Sequence, residues 1–339
     1  MTIRVLHIGL GIRGRHWLDF VRDFPHTTTV ACVEPAPEAR ALAAQALPGG
    51  VRVFEDVPSA LSAVEADAAL ITSPSALHAE HGIAALEAGL AAMIEKPYTC
   101  TVAEALRVNA KSAETGRPVV VAENFRWVPA ERTIKKLVAE GLIGAVRCAT
   151  VIDRRRMPAS SQGRWMETIE YPQLQEIAVH HFDSLRAFFG CDALDVTARA
   201  WNPPGTDYSH GSSTEAFLRM EGGLHVQYLG TLSSHKFSYR AWIEGDEGVL
   251  WTDRKRVWWR KKGARLFRPV RKVAVPAGDG APYPREGTTS LLASLQLALE
   301  GGQPETSGSD NVRTIAMVEA GKRSDREGRT VPIEEVLSR

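Results

Sequence analysis

Three groups of residues have types and spacings that can do chemistry. Gly9, Gly11 and Gly14 follow the apolar run Ile3, Val5, Leu6 and Ile8 and are spaced G-x-G-x-x-G. Glu95, Lys96 and Pro97 follow a second apolar run. Glu176, His180 and Asp183 stand at i, i+4 and i+7 in a stretch with helical patterning. The glycines make a phosphate seat: Gly9 permits a tight turn, Gly11 lets backbone approach a ligand, and Gly14 lets a following helix pack close to the strand. A lysine fixed after a strand by proline, beside a carboxylate, can orient a hydroxyl and stabilise its alkoxide, although the same residues also suit a surface turn. On a helix turning 100° per residue, Glu176, His180 and Asp183 share one face, and Leu174, Ala178, Phe182, Leu185 and Phe189 cover the other. Glu176 can then hold the His180 imidazole and raise its basicity. His181 lies toward the apolar side and reads as a packing residue, which leaves His180 as the exposed, functional one.

The glycine spacing alone is a weak signal, but its surroundings strengthen it. It follows a strand pattern, it opens a helical pattern over His16 to Phe24, and Glu34 lies 20 residues beyond Gly14 at the end of the next apolar run. A dinucleotide is the expected ligand. A carboxylate at position 34 accepts from the ribose 2′- and 3′-hydroxyls and repels a 2′-phosphate. Pro35 and Ala36 follow it, and Arg40 is the nearest cation. NAD is therefore expected rather than NADP.

Strand and helix patterns alternate through the first part of the chain. The strands are 28–33, 51–54, 67–71, 90–94 and 118–122, with helices at 37–46, 59–63, 76–88 and 102–115 between them. This alternation implies right-handed crossovers and a parallel, doubly wound sheet, whose ligands bind beyond the carboxyl ends of the strands. Gly9, Glu34, Ser73 and Lys96 all fall at such ends. After residue 123 the pattern changes. Helices are expected at 129–140, 173–189, 290–299 and 311–326, and a long strand at 146–157. Further strands are expected at 196–201, 213–220, 224–233, 237–244, 249–253, 257–261 and 266–270. Turns at Glu221-Gly222-Gly223, Gly245 to Gly248 and Lys262-Gly263 join several of these into hairpins. The expected fold is α/β. Residues 1–123 form a Rossmann domain with a doubly wound parallel sheet. Residues 124–339 form an α+β domain with a large, mostly antiparallel open sheet, and the C-terminal helix can pack back on the first domain.

With 44% hydrophobic and 24% charged residues, the 339-residue chain can build large cores. The net charge of +1 gives no global bias toward nucleic acid or an anionic membrane. No stretch is long and apolar enough for a membrane span, and no secretion signal is expected. Cys32, Cys100, Cys148 and Cys191 are scattered, without a CxxC, as expected for reduced thiols in a cytoplasmic protein. A metal site from His180, Asp183 and His78 or His81 lacks a ligand spacing, so none is expected. The basic stretch 254–272 contains Trp258, Trp259 and Phe267; the turn at Lys262 favours a solvated or oligomer-facing hairpin over a nucleic-acid surface.

Taken together, the pieces GLGIRG, TSPSALHAEHGIAALEAG, EKP, FRWVPAERTIKKLVAEGLIGAV, EIAVHHFDSLRAFFG and ETSGSDNVRTIAMVEAGKRSDREGRTV resemble the Gfo/Idh/MocA family, the glucose–fructose oxidoreductase and inositol dehydrogenase-like enzymes. The resemblance implies a catalytic lysine at Lys96 and an acid–base histidine at His180. An aspartate commonly stands four residues before that histidine; this chain has Glu176, one methylene longer. The glycine-rich approach to the helix is replaced by Glu170-Tyr171-Pro172-Gln173-Leu174. The implied reaction moves a hydride between a secondary alcohol of a sugar or polyol and nicotinamide. The expected cofactor contacts are Gly9, Gly11, Ile12, Arg13, Gly14, Glu34, Thr72, Ser73, Pro74, His78, Glu95, Lys96 and Arg126. Arg154, Arg156, Arg164, Trp165, Tyr171 and His181 are substrate candidates. The family's open sheet implies a homodimer or homotetramer.

Two other readings fit the same residues. One is an NAD-dependent glycosidase or lyase that oxidises a ring hydroxyl transiently, eliminates and reduces again. The other is an NAD-sensing regulator without catalysis, against which Lys96, Glu176 and His180 argue.

Overall fold

The computed structural model describes residues 2–47, 49–161, 164–263, 271–278, 281 and 285–338. The first elements in chain order are β1 (Ile3–Ile8), α1 (Ile12–Asp23), β2 (Thr27–Val33), α2 (Pro37–Ala46), β3 (Arg52–Phe54), α3 (Val57–Ala63), β4 (Ala68–Ile71), α4 (His78–Glu87), β5 (Ala91–Glu95), α5 (Val102–Thr115) and β6 (Val119–Ala122). There follow α6 (Pro129–Ala139), β7 (Val146–Arg156), α7 (Arg164–Thr168), a π-helical segment Gln173–Ala178, α8 (Val179–Phe189), β8 (Ala193–Trp201), β9 (Ser213–Met220) and β10 (His225–Thr231). The last are β11 (Ser233–Gly245), β12 (Gly248–Thr252), β13 (Val257–Lys261), β14 (Arg271–Val273), α9 (Thr288–Leu299), α10 (Gly308–Glu327), β15 (Val331–Pro332) and α11 (Ile333–Leu337). The strand expected at 266–270 lies outside the described residues; the strand seen beyond it is β14.

The chain forms two compact units, one of residues 1–123 and 288–315 and the other of 124–287 and 316–339. The first unit holds a six-stranded sheet in the order β3-β2-β1-β4-β5-β6, every pair parallel. Its central strands are buried on both faces, which is why they read as apolar runs without alternation. The strand order reverses between β1 and β4, and the ligand crevice of such a sheet lies at that reversal. Residues 306 and 307 run along β6, where Val121 N donates to Thr306 O (2.7 Å).

The second unit holds a nine-stranded sheet in the order β14-β13-β12-β11-β7-β10-β9-β8-β15. All its neighbours are antiparallel except β7 and β10. Its strands alternate buried with exposed residues, as in Ser213–Met220, so among the described residues one face is covered and the other exposed. Helical cover comes partly from α10, whose Ser324 Oγ and Asp325 Oδ1 accept from Ala198 N and Ala200 N, both at 2.8 Å.

Among the described residues no helix is long and apolar enough to cross a membrane. All four cysteines are free thiols, with Cys32 buried.

Candidate active site

The glycine turn is shaped by close backbone approach. Gly9 has φ +97°, and a β-carbon there would stand 2.8 Å from Ser73 N. A β-carbon on Gly14 would meet Gly9 O at 2.1 Å. At Gly11 it would meet nothing within 4 Å. Two glycines thus serve the fold, and the third faces open space at the start of α1. The first turn of α1 has no side-chain cap and no acidic residue, so none of its own side chains competes for its N–H groups. A dinucleotide pyrophosphate fits this cradle. Ile12, 58% exposed, offers an apolar surface beside it. Thr72 braces the turn by donating from Oγ1 to Gly9 O (2.7 Å).

Glu34 follows β2 and is buried. Its Oε2 accepts from Leu10 N (2.8 Å) and its Oε1 from Ala36 N (3.1 Å). Each carboxylate oxygen can accept about two hydrogen bonds, so one position per oxygen remains for a ribose hydroxyl. Arg40 donates to the carbonyls of Glu34 (2.8 Å) and Pro35 (3.0 Å), which turns this cation onto the backbone.

Glu95 ends β5 as a buried anchor. It accepts from Arg13 Nε (2.5 Å), Trp17 Nε1 (2.7 Å) and Lys96 N (3.0 Å). Burial pushes its carboxyl group up, but Arg13, Lys96 and the Trp17 hydrogen bond outweigh this, and it stays below the ordinary range. The pair Arg13–Glu95 therefore ties α1 to the loop that carries Lys96. Lys96 itself is half-buried. The buried His78 places Nδ1 2.7 Å from Pro97 O and Nε2 2.9 Å from Ser73 O. Its ring joins the segments after β4 and β5. Ser73 Oγ bonds His81 Nδ1 (2.9 Å), and Pro74 is exposed.

In the second unit His180 lies in the first turn of α8 and Glu176 in the preceding π-helical segment. The expected exposed face is absent. Every residue from Gln173 to Arg186 is buried, His180 and Glu176 included. Tertiary cover overrides the amphipathic pattern, and the wider π turn interrupts the regular α-helix assumed from spacing. His180 stacks on Phe125, with ring centres 4.1 Å apart and planes 17° apart. His181 Nδ1 bonds Tyr228 Oη (2.9 Å), and Gln173 Nε2 donates to the same oxygen (2.6 Å). Burial, then the nearby Arg254, Arg155 and His180, push the His181 imidazole well below its usual value, so it is neutral.

Arg126 is engaged by Asp183 through two hydrogen bonds (2.6 and 2.7 Å), both residues buried. Arg254 lies over Tyr239 and Phe125, 3.6 and 4.2 Å from their ring centres, and pairs with the buried Glu131 (2.9 Å). Sequence reading missed Phe125, Tyr228 and Arg254; the only sign of the first was its place beside Arg126.

Alternation along β7 separates the substrate candidates Arg154 and Arg156 from Arg155. Arg154 and Arg156 are exposed. Arg155 shares its face with buried Asp153, donates to it (2.6 Å), and lies on the His181 side, where Asp153 is 3.9 Å from His181 Nε2. Tyr171, a substrate candidate, donates to Asp325 (3.0 Å) and packs edge-on against His210. Arg164 and Trp165 begin α7; their side chains lie outside the described part. Among the described residues no group of three or more His, Cys, Asp or Glu is placed to hold a metal ion.

Comparison with known proteins accords with this arrangement. Residues 3–123 match the oxidoreductase family with NAD-binding Rossmann fold, and residues 132–251 match the GFO/IDH/MocA C-terminal domain. The chain is 29% identical to D-apiose dehydrogenase of Paraburkholderia graminis over 96% of its own length and 88% of the relative's. It is 34% identical to inositol 2-dehydrogenase 3 of Saccharopolyspora erythraea over 55% of this chain and 53% of that one. An oxidoreductase from Agrobacterium radiobacter, solved with NAD+, L-tartaric acid and magnesium, shares the fold with a TM-score of 0.87 at 20% identity, covering 99% of each chain. The chain is an oxidoreductase with an NAD(P)-binding Rossmann domain, and it belongs to the GFO/IDH/MocA family.

Proposed function

We propose that the chain is an NAD-dependent dehydrogenase that acts on a secondary alcohol of a sugar or polyol. The observation that carries the reading is the placement of Lys96. It follows a buried strand of the nucleotide sheet at the carboxyl end, where such sheets bind ligands. Its backbone is fixed by Glu95, and the loop is tied to the neighbouring strand end through His78. The names of the relatives, a D-apiose dehydrogenase and an inositol 2-dehydrogenase, support the substrate class.

Lys96 donates to the substrate oxygen and stabilises it as an alkoxide. His180 takes the hydroxyl proton, and returns it in the reverse direction. When bound, the dinucleotide supplies the hydride acceptor at nicotinamide C4. Glu34 accepts from the ribose hydroxyls, and the Arg40 guanidinium, turned onto two carbonyls, is not presented to a 2′-phosphate; both features favour NAD over NADP.

The test is a panel of polyols, aldoses, sugar acids and glycosides with NAD and with NADP, read by absorbance of the reduced nicotinamide. His180→Ala and Lys96→Ala are expected to lower kcat by about 10²- to 10⁴-fold. Wild-type rates in both variants would overturn the reading, and turnover with NADP alone would overturn the cofactor choice.

The exposed face of the nine-stranded sheet supports a second proposal, a homodimer or homotetramer built on that face. Register aligns Thr197, Phe217, Gln227, Thr150, Trp242, Trp251 and Trp258 in one row across the strands. Phe217 is 58% exposed, and the three tryptophans stack in sequence at 4.9 and 6.1 Å. An exposed Phe217 and a half-buried tryptophan ladder rimmed by Arg240 and Glu244 fit a self-complementary interface. Phe217→Glu with Trp242→Glu is expected to give monomers in sedimentation; an unchanged oligomer would remove this face from the interface.

A further inference from the structure

The ring of Phe125 stacks on His180, and the next residue, Arg126, grips the same helix at Asp183, one turn beyond. On Phe125 two planar groups converge, the His180 imidazole at 4.1 Å and the Arg254 guanidinium at 4.2 Å from the ring centre. Two groups that close to one ring centre have room only on opposite faces. The guanidinium lies in turn 3.6 Å from the centre of Tyr239. The layers therefore run Tyr239, Arg254, Phe125, His180.

The back of this stack is rigid. Arg254 is buried, has a positive φ of +72°, pairs with buried Glu131, and donates its own N–H to Thr252 Oγ1 (2.9 Å). A cation on the electron-rich face of an aromatic ring is held there by the ring quadrupole. Phe125 is therefore fixed from behind, and it presents a flat surface to the imidazole. A histidine that takes a proton must keep its ring plane and its accepting nitrogen aimed at one point, and a small misplacement lowers the rate steeply. An aliphatic side chain would fill volume without defining that plane.

We propose that Phe125, backed by Arg254, is a positioning residue that sets the plane of the His180 imidazole for proton transfer. The proposal rests on the reading of His180 as the acid–base group. It assigns the FRW segment a role in aiming the base, where the family resemblance implies a cofactor contact at Arg126.

The experiment compares Phe125→Leu, Phe125→Tyr and His180→Ala in the full chain, with the best substrate from the panel. Phe125→Leu is expected to lower kcat by about 10- to 100-fold while KM and NADH affinity stay within about threefold. Phe125→Tyr, which keeps the ring, is expected to recover most of kcat. A second readout needs no activity measurement. In wild-type enzyme labelled with 13C at histidine Cε1, the His180 signal, assigned by its loss in His180→Gln, is expected to be shifted upfield by the ring current of Phe125. If His180→Ala keeps wild-type kcat, the acid–base reading itself falls. If His180→Ala is inactive while Phe125→Leu keeps wild-type kcat, or if the His180 signal shows no upfield shift, only the positioning role falls. Equal loss of kcat in the Leu and Tyr variants would also overturn it, because it would mark simple core packing.

Discussion

Gly14 lies so close beneath the Gly9 carbonyl that a β-carbon on it would stand 2.1 Å from the oxygen, whereas a β-carbon on Gly11 would touch nothing within 4 Å. The two glycines should therefore respond differently to the same substitution. Gly14→Ala forces backbone apart and is expected to destabilise the first unit and abolish cofactor binding. Gly11 has φ −60°, which alanine adopts freely. There the loss of a favourable N-cap and the gain in unfolded-state rigidity offset, so Gly11→Ala should keep stability within about 1 kcal/mol of wild type. Its added methyl occupies the space a pyrophosphate would fill, so NAD affinity should still fall. Thermal melts with and without NAD separate the two outcomes.

Arg126 and Asp183 are buried and share two hydrogen bonds. Breaking a buried pair by removing one partner costs about 3–5 kcal/mol. Asp183→Ala is expected to lose stability on that scale in urea denaturation. The double variant Arg126→Met with Asp183→Leu should recover a large part, because well-packed apolar residues often replace such pairs at little cost. A double variant no more stable than Asp183→Ala would contradict this.

Glu34 should decide between the two dinucleotides. Its carboxylate holds Leu10 N and Ala36 N and, in the proposed reading, two ribose hydroxyls. Glu34→Ser is expected to lower kcat/KM with NAD by about 10- to 100-fold, the scale of one or two hydrogen bonds to a charged group. The rate with NADP should change far less, because the repulsion of the 2′-phosphate goes with the carboxylate. A uniform loss with both cofactors would point to a purely structural glutamate.

Two buried histidines give the protein an acid-sensitive stability. Burial pushes His7 down to about 3, and burial with nearby positive charges holds His181 well below its usual value. Above pH about 6.5 both are neutral in either state and contribute no slope. Below it the unfolded chain binds protons that the fold refuses, so stability falls as pH falls, by up to about 1.4 kcal/mol per pH unit for each histidine. The depressed carboxyl of Glu95 adds stability above the carboxylate range that is lost only at still lower pH. Urea midpoints between pH 7.5 and 5.0 should therefore decline, and less steeply in His7→Leu. Equal slopes in the two proteins would exclude His7 as a source.

What was legible in the sequence was what local chemistry dictates. The glycine turn, the apolar β4 to β6 strands and the hairpins of the large sheet are set by near neighbours, and β9 and β13 match their expected bounds of 213–220 and 257–261. Val102–Thr115 likewise carries its own stop and start signals, a Thr101 capping box and a left-handed Gly116. The histidine helix was harder. Its i, i+4, i+7 face presumed a straight α-helix with one side in water, and the chain instead has a π segment buried on all sides. Alternation on β7 is readable, yet which face is covered is a tertiary fact, and the fold pairs Arg155 with buried Asp153 while Arg154 and Arg156 stay exposed. The parallel pairing of β7 with β10 was hidden for the same reason, since sequence neighbours suggest only hairpins. Arg254 comes from a stretch that looked like surface charge, and only the fold brings it behind Phe125.

The strand β6 is flanked on one side by β5 and on the other by residues near 307, which arrive almost two hundred positions later in the chain. The nucleotide-binding unit is thus discontinuous, closed by residues 288–315. During synthesis from the N-terminus, residues 1–123 must wait with the outer edge of β6 unpaired while the strands β7 to β14 of the large sheet are made. A fragment cut at residue 123 would keep every glycine of the phosphate seat and still carry a bare strand edge, the feature that invites association with other chains.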